Sequence, residues 1–295
     1  MQLRGVGTAL ITPFKADGSI DEPALRKHVA WQVQSGVNFL VPCGTTGETP
    51  TLSEEEQCRV IEIVVEANAG RVPVIAGATS NSTGEAVRKA AAIAGLKGVD
   101  GILSASPYYN KPTQEGQFQH FKAIAEAVDG KPIVLYSVQG RTAVNLEPAT
   151  IARLSEIANI IAVKEASGNM SQIAEVCASV PLNFTVLSGD DAITLGFIGH
   201  GGKGVVSVVS NLIPNAMAEL TSAALGGDFP RAQRIQRRYL PLMSACFFES
   251  NPIPVKAVLA MMKRIEEHYR LPMVSISDAN RARLDQVVRR VGLLS

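Results

Sequence analysis

The sequence is poor in cysteine and has no excess of charge, and each of these shortages excludes a class of protein. The 295 residues include four cysteines, and none of them forms a CxxC pair. This spacing predicts neither a zinc site nor a disulfide framework, and it suits a reducing cytoplasm. The 28 basic and 27 acidic side chains nearly cancel. Proteins that bind nucleic acid or anionic membranes usually carry a basic excess, so we expect neither partner.

Long apolar runs are also missing. No stretch reaches the roughly 18 to 20 apolar residues that span a bilayer, and the N-terminus lacks the apolar segment of a signal peptide. The four histidines show no spacing typical of metal ligands, so we predict no metal. What the chain does have is 46% hydrophobic residues, enough for one large core or two ordinary domains. We expect a soluble protein of the cytoplasm.

Short β-branched or aliphatic segments alternate with longer segments of helical periodicity, a pattern typical of βα units and a parallel sheet. Among the helical segments, residues 53–69 begin with a capping box of Ser53 and Glu56, and residues 115–127 have one apolar face. Eight repeats in about 225 residues favour an α/β fold of the (β/α)8 TIM barrel type over an open sheet. The eight strands are predicted at residues 7–13, 39–43, 72–76, 101–104, 133–136, 160–164, 184–187 and 204–208.

The segment after the eighth repeat holds more helices than a barrel needs. A Gly-Gly-Asp break at residues 226–228 separates the first of these helices from the rest. We therefore predict a catalytic barrel over residues 1–226 and a C-terminal helical extension over residues 227–295. The predicted helices cover residues 214–225, 230–247, 254–268 and 277–291.

One lysine stands out at the strand ends, where barrels of this type carry their active sites. Lys164 closes the apolar residues 160–163 and should point its amine into the barrel mouth. Apolar surroundings favour the neutral amine, which can attack a carbonyl and form a Schiff base. The alternative is a lysine that extends to solvent or pairs with a carboxylate such as Glu165.

Polar residues at other strand ends could serve the same site. Thr45 and Thr46 lie in a Gly-Thr-Thr-Gly loop whose N–H groups and hydroxyls could hold a carboxylate, although an ordinary turn would look the same. Tyr136 could pass protons or merely satisfy a hydrogen bond. Arg141 could bind a second carboxylate through two N–H groups or lie on the surface.

Two further motifs leave alternatives open. Tyr108 and Tyr109 are adjacent and cannot both face inward, so one of them meets another surface, unless both are simply half exposed. The glycine-rich residues 199–204 precede the eighth strand. Their spacing is not that of a P-loop, and they fit an anion site as well as a tight turn.

Several motifs together resemble the dihydrodipicolinate synthase family. They are GTTGE at residues 44–48, SPYYNKP at 106–112, Tyr136 with Gly-Arg-Thr at 140–142, and VKEASG at 163–168, followed by SGDD at 188–191 and NPIPVK at 251–256. The likeness extends over essentially the whole chain. It implies a TIM barrel and a lyase of lysine and diaminopimelate biosynthesis, which condenses pyruvate with L-aspartate 4-semialdehyde through a lysine Schiff base without a metal or organic cofactor.

The resemblance also implies roles for individual residues. Lys164 would form the Schiff base with pyruvate, and Tyr136 would be the central acid and base. Thr45 and Thr46 would hold the pyruvate carboxylate and relay protons. Tyr109 would reach into a neighbouring subunit to complete a proton relay, so that each site needs a dimer, and the implied assembly is a homotetramer made of two dimers.

The remaining roles concern the edges of the implied site. Arg141 would bind the carboxylate of the semialdehyde, and Gly189 and Val206 would line the pyruvate site. A regulatory pocket for L-lysine is implied at Asn81, Glu85 and Tyr108.

The sequence departs from the family pattern in two places. Ser137 and Gln139 stand where members usually have Asn and Pro, so we expect a less constrained loop beside Arg141. Glu54 and Gln57 stand where lysine-inhibited relatives often carry histidines, and we predict weak or absent inhibition by L-lysine. Two alternative functions remain. One is a sibling pyruvate-dependent aldolase, such as N-acetylneuraminate lyase or a 2-keto-3-deoxy-sugar-acid aldolase, and the other is a non-catalytic barrel that binds a keto acid.

Overall fold

The computed structural model describes residues 1–294 and contains eight parallel strands in a nearly closed barrel. The order is β2-β1-β8-β7-β6-β5-β4-β3. The gap between β2 and β3 is bridged at Leu40 and Val74, and the Leu40 N–H donates to the Pro73 carbonyl at 2.9 Å. The predicted TIM barrel is confirmed. Its strands are β1 Gly5–Ala9, β2 Phe39–Val41, β3 Ile75–Gly77, β4 Gly101–Ala105, β5 Ile133–Ser137, β6 Ile160–Glu165, β7 Thr185–Ser188 and β8 Gly204–Ser207.

Helices follow the strands and then continue beyond the barrel. The predicted capping box forms at the start of α2, where the Glu56 N–H donates to Ser53 Oγ and the Ser53 N–H donates to Glu56 Oε2. No described helix is both long and apolar enough to cross a membrane. The helices are α1 Glu22–Gln34, α2 Glu54–Asn68, α3 Thr83–Ala94, α4 Gln114–Ala127, α5 Gln139–Thr142, α6 Pro148–Ser155, α7 Met170–Ser179, α8 Thr194–Gly199, α9 Pro214–Leu225, α10 Phe229–Ala245, α11 Ile253–Met261 and α12 Asp278–Arg290.

Two predicted elements, β1 and α11, end four or more residues before their predicted ends. β1 ends at Ala9 rather than at residue 13, because the Ile11 N–H donates to the Asn211 side chain instead of to a neighbouring strand. α11 ends at Met261 rather than at residue 268. Lys263 takes a left-handed φ of 57°, and the Arg264 N–H turns back to the Leu259 carbonyl, which caps the helix without glycine or proline.

Side-chain alternation along the strands divides the core into two layers. One cluster fills the barrel interior and includes Tyr136, Ala162, Leu187 and Val206. The other lies between the strands and the helices. The C-terminal helices add Leu242, Val255, Val258 and Leu284 to this outer cluster, so they pack on the barrel as part of the same core. The domain boundary after residue 226 stays a prediction.

Candidate active site

A cavity of about 200 Å³ opens at the C-terminal ends of the barrel strands. Strand ends that are distant in sequence meet here because all eight strands run in the same direction. Six of the residues singled out in the sequence line it together. They are Thr45, Thr46, Tyr136, Arg141, Lys164 and Gly189.

Lys164 is the buried amine of this cavity. Its residue is 5% exposed, and its Nζ lies 4.1 Å from the centre of the Tyr136 ring. Tyr136 and Lys164 face each other in register across β5 and β6, which places both side chains inside the barrel. Within residues 1–294, no carboxylate forms an ion pair with Lys164. Because Lys164 is buried, its side chain does not extend into solvent.

Glu165, the suggested partner of Lys164, points to the other side of the sheet. Its Oε1 accepts hydrogen bonds from the Ser167 N–H at 3.1 Å and from Gln172 Nε2 at 2.9 Å, so the carboxyl faces α7. Burial raises the pKa of Glu165. Successive residues of a strand point to opposite faces, and this alternation separates the Glu165 carboxyl from the Lys164 amine. The suggested Lys164–Glu165 pair is wrong.

The Gly-Thr-Thr-Gly loop forms one wall of the cavity and is held by hydrogen bonds from other segments. Thr45–Gly47 is a single 3₁₀ turn. Asn251 Nδ2 donates to Thr46 Oγ1 at 2.9 Å, and Thr12 Oγ1 donates to the Gly47 carbonyl at 2.8 Å. The loop is thus fixed from the C-terminal helices on one side and from the end of β1 on the other.

Gly189 touches the lysine from the end of β7. A Cβ at this position would lie 2.5 Å from Ala166 Cβ and 3.2 Å from Lys164 Cε, so only glycine leaves room for the Lys164 side chain. The neighbouring Asp191 is buried and accepts the N–H groups of Val208 and Val209 at 3.0 and 2.9 Å. These bonds join the ends of β7 and β8, and burial raises the pKa of Asp191.

Arg141 lines the cavity from the short helix α5. The Arg141 N–H donates to the Val138 carbonyl and the Ala143 N–H to the Gln139 carbonyl, so this turn forms without a proline. Ser137 points away from the cavity, and its Oγ accepts the Leu146 N–H at 3.3 Å. Ser137 and Gln139, which differ from the family pattern, therefore lie outside the lining of the cavity.

Two of the residues predicted for the active site, Tyr109 and Val206, do not line the cavity. Tyr109 is 86% exposed with a left-handed φ of 72°, and the neighbouring Tyr108 is also exposed. Val206 is buried in the barrel interior, and it is Val208, two residues further along the chain, that lines the cavity. The side chains of both tyrosines point away from the core of the chain, which leaves them free to meet another surface.

The residues of the predicted regulatory pocket lie near one another outside the cavity. Asn110 Nδ2 donates to the Asn81 carbonyl at 3.0 Å, which joins the tyrosine loop to the loop before α3. Glu85 accepts a hydrogen bond from Ser80 Oγ. The two residues that replace histidines are engaged elsewhere. Glu54 pairs with Arg88 at 2.6 Å, and Gln57 Nε2 donates to the Leu52 carbonyl at 3.1 Å.

The glycine-rich residues 199–204 form a tight turn at the opposite end of the barrel, just before β8. A Cβ on Gly202 would lie 2.2 Å from the Phe197 ring, and one on Gly204 would lie 1.9 Å from the Gly5 carbonyl oxygen. A side chain at either position would clash with these atoms, so the two glycines allow the turn to pack closely. Of the two suggested explanations, the structure favours the turn over the anion site.

Comparison with known proteins places the chain in a family. A model of the dihydrodipicolinate synthetase family matches residues 2–291. The chain belongs to this family. A 4-hydroxy-tetrahydrodipicolinate synthase of Koribacter versatilis is 63% identical over 294 residues, covering 100% of this chain and 98% of the relative.

Solved structures of the dihydrodipicolinate synthetase family share the fold. A dihydrodipicolinate synthase from Thermotoga maritima, 42% identical, superposes with a TM-score of 0.97 over 100% of both chains. A dihydrodipicolinate synthase from Acinetobacter baumannii, complexed with pyruvate, is 39% identical and has a TM-score of 0.97 over 99% of this chain and 100% of that one. The resemblance and the fold predicted from the sequence are confirmed.

In this member of the dihydrodipicolinate synthetase family, part of the cavity wall comes from the C-terminal segment. The prediction of site residues from the ends of the strands missed this part. Phe247 and Asn251 both line the cavity, although they follow α10 rather than a barrel strand. The NPIPVK motif was the available signal for Asn251, but it assigned no role to the residue. Asp190, beside Gly189 in the SGDD motif, also lines the cavity.

Proposed function

We propose that this chain is a 4-hydroxy-tetrahydrodipicolinate synthase, which condenses pyruvate with L-aspartate 4-semialdehyde in lysine and diaminopimelate biosynthesis. The observation that carries the proposal is the Lys164 amine, which is buried in a strand-end cavity beside Tyr136 and has no carboxylate partner among the described residues. Relatives that match the whole chain bear this name. An amine in this setting can serve as a nucleophile toward a keto acid.

The proposed reaction begins with attack of Lys164 Nζ on the C2 carbonyl of pyruvate. Loss of water gives an imine, and loss of a proton from C3 gives an enamine. The C3 carbon then attacks the aldehyde carbon of the semialdehyde, and a new carbon–carbon bond forms. The substrate amine next attacks the imine carbon, which closes the ring and frees Lys164. The protonated imine withdraws electrons from C3, so the mechanism needs neither a metal nor an organic cofactor.

The other cavity residues take the supporting roles. Tyr136, beside the amine, moves protons as the imine forms and breaks, because a phenol both donates and accepts. Thr45 and Thr46 hold the pyruvate carboxylate and relay protons, and Gly189 lines the pyruvate site. Arg141, at the rim, offers two parallel N–H groups to the carboxylate of the semialdehyde.

The proposed assembly is a homotetramer built from two dimers, and the proposed location is the cytoplasm. Tyr109 supports the dimer, because a tyrosine 86% exposed on one chain can complete a proton relay in a neighbouring subunit. A homodimer presents the same patch from both subunits, so each would supply a tyrosine to the other. Val206, which belongs to the same buried cluster as Tyr136, is proposed to line the pyruvate site. Asn81, Glu85 and Tyr108 are proposed as the regulatory pocket for L-lysine.

Turnover of pyruvate with L-aspartate 4-semialdehyde tests the proposal, with the product reduced by NADPH and the next enzyme of the pathway. We expect activity in the wild type and none in Lys164→Ala. Borohydride should fix pyruvate onto the wild type but not onto that variant. Lys122→Ala is the control, because Lys122 is an exposed lysine paired with Glu126, and this variant should behave as the wild type.

Two outcomes would replace the proposed function. Trapping of pyruvate without turnover of the semialdehyde, together with cleavage of sugar acids, would assign a sibling aldolase. Failure of borohydride to fix pyruvate on the folded wild type would assign a non-catalytic keto-acid-binding barrel.

A further inference from the structure

A buried ion pair lies directly behind the Gly-Thr-Thr-Gly loop and takes no part in the proposed chemistry. Lys256 Nζ lies 2.5 Å from Glu48 Oε1, and the two side chains are 0% and 1% exposed. The residues are 208 positions apart in the chain. The pair therefore joins the catalytic loop to the C-terminal helices.

Glu48 is placed where it can set the shape of the loop. It lies between the 3₁₀ turns Thr45–Gly47 and Thr49–Thr51 and takes a left-handed φ of 54°. An amino acid with a side chain adopts this conformation at a cost, so surrounding contacts must hold it. Lys256 contacts Oε1 of the buried carboxylate, and the Arg270 N–H donates to Oε2 at 3.4 Å, so Lys256 is its one charged partner among the described residues.

Lys256 also contacts the segment that follows β1. Its Nζ also donates to the Thr12 carbonyl at 3.1 Å and lies 4.5 Å from the centre of the Phe14 ring. Thr12 in turn donates through its hydroxyl to the Gly47 carbonyl. The lysine thus ties the end of β1 and the catalytic loop to α11, which carries it.

The same C-terminal segment reaches the loop a second time. Asn251 is five residues before Lys256, and its Nδ2 donates to Thr46 Oγ1 at 2.9 Å. A shift of the Lys256 end of this segment would move the hydrogen bond that orients the Thr46 hydroxyl. Misplacement of a binding group by about 1 Å can cost about a hundredfold in rate.

We propose that Glu48 and Lys256 are positioning residues, which hold the Thr45–Thr46 loop in the geometry that binds pyruvate. This inference rests on the proposed function, because it assigns the loop to the pyruvate carboxylate. Neither residue lines the cavity, so both act through the loop and not on the substrate. A pair that served stability alone would change the unfolding temperature and leave pyruvate binding unchanged.

Three variants separate positioning from stability. Lys256→Met removes the charge and leaves the Glu48 carboxylate buried without its partner, so it should lower both stability and pyruvate affinity. The double variant Glu48→Gln with Lys256→Met leaves no unpaired buried charge, and it should regain stability but not loop geometry. Lys256→Arg keeps the charge and should recover part of the affinity.

The control is a variant that weakens the same helices without touching the loop. Leu284 is fully buried in α12, and Leu284→Ala should lower the unfolding temperature through the cavity that it creates. The KM for pyruvate, kcat and the rate of borohydride trapping are measured for all variants at a temperature where each is folded by circular dichroism.

We expect the double variant to show a KM for pyruvate at least about tenfold above the wild type and slower trapping, while Leu284→Ala keeps both values. A double variant with the wild-type KM and trapping rate would overturn the inference. So would an equal rise of KM in Leu284→Ala, because that would trace the effect to stability. If the wild type itself traps no pyruvate, it is the proposed function that fails.

Discussion

Replacing Gly189 by alanine places one methyl group against the side chain of Lys164. The added Cβ would lie 3.2 Å from Lys164 Cε and 2.5 Å from Ala166 Cβ. The second distance is far below the roughly 3.5–4.0 Å at which carbon atoms attract each other. Ala166 is on the backbone segment that follows β6 and cannot move alone, so the lysine or the β6 end must shift.

Strain from one added methyl group in a packed site costs about 1–3 kcal/mol. If the lysine bears that strain, formation of the imine should slow by about fivefold to 150-fold. Trapping of pyruvate by borohydride, followed by mass spectrometry over time, measures this step directly. The KM for the semialdehyde should change less, because Arg141 lies in α5 and does not contact Gly189.

Gly140→Ala is the matched control for this prediction. Gly140 belongs to α5 beside Arg141, and a Cβ there would meet no atom within 4 Å. Its trapping rate should equal that of the wild type. Equal rates in Gly189→Ala and the wild type would refute the reasoning, since they would show that the site accommodates the methyl group without moving the amine.

Three other predictions test stability, regulation and assembly. Burial lowers the pKa of His28 from 6.5 to about 4, so as the pH falls the unfolded chain binds a proton before the folded one does. Protonation of His28 should therefore lower the free energy of unfolding by about 3 kcal/mol between pH 6.5 and 4. Urea unfolding of the wild type and His28→Gln at both pH values measures this loss, and an equal loss in the two proteins would contradict the prediction. L-Lysine should inhibit weakly or not at all, because Glu54 and Gln57 replace the histidines of inhibited relatives, and half-inhibition below the millimolar range in the coupled assay would show this to be wrong. If Tyr109 acts in the neighbouring subunit, refolded mixtures of Tyr109→Ala with Lys164→Ala should regain up to about a quarter of wild-type activity. Half of the dimers would be mixed, and each mixed dimer would hold one site with both Lys164 and the Tyr109 of the other subunit. Mixtures that regain no activity would contradict a role of Tyr109 in the neighbouring subunit.

The fold could be predicted from the sequence wherever the signal is local. The capping box of Ser53 and Glu56 located the start of α2, since its two hydrogen bonds join residues three apart. The end of α11 could not be predicted, because Lys263 adopts a left-handed conformation that is typical of glycine and asparagine. The end of β1 depends on a hydrogen bond between Ile11 and Asn211, which are 200 residues apart, and no local pattern indicates it.

The candidate site could be predicted in so far as it is built from strand ends. Lys164 and Tyr136 close apolar strands, and the common direction of those strands brings them together. Asn251 and the Glu48–Lys256 pair depend instead on how the C-terminal helices pack onto the barrel. That packing is a tertiary contact between segments more than 200 residues apart in the chain, so spacing along the sequence carries no trace of it.

The two buried lysines near the barrel mouth show why the proposed nucleophile is Lys164. Lys256 is the more deeply buried, but its amine donates to Glu48 and to the Thr12 carbonyl, and it does not line the cavity. An amine that is engaged by a carboxylate and a carbonyl, away from the cavity, cannot reach the carbonyl carbon of a substrate. The Lys164 amine faces the cavity over the Tyr136 ring, and no carboxylate among residues 1–294 pairs with it. Burial alone therefore does not identify the nucleophile; it is burial beside an open cavity, without a counterion, that distinguishes Lys164 from Lys256.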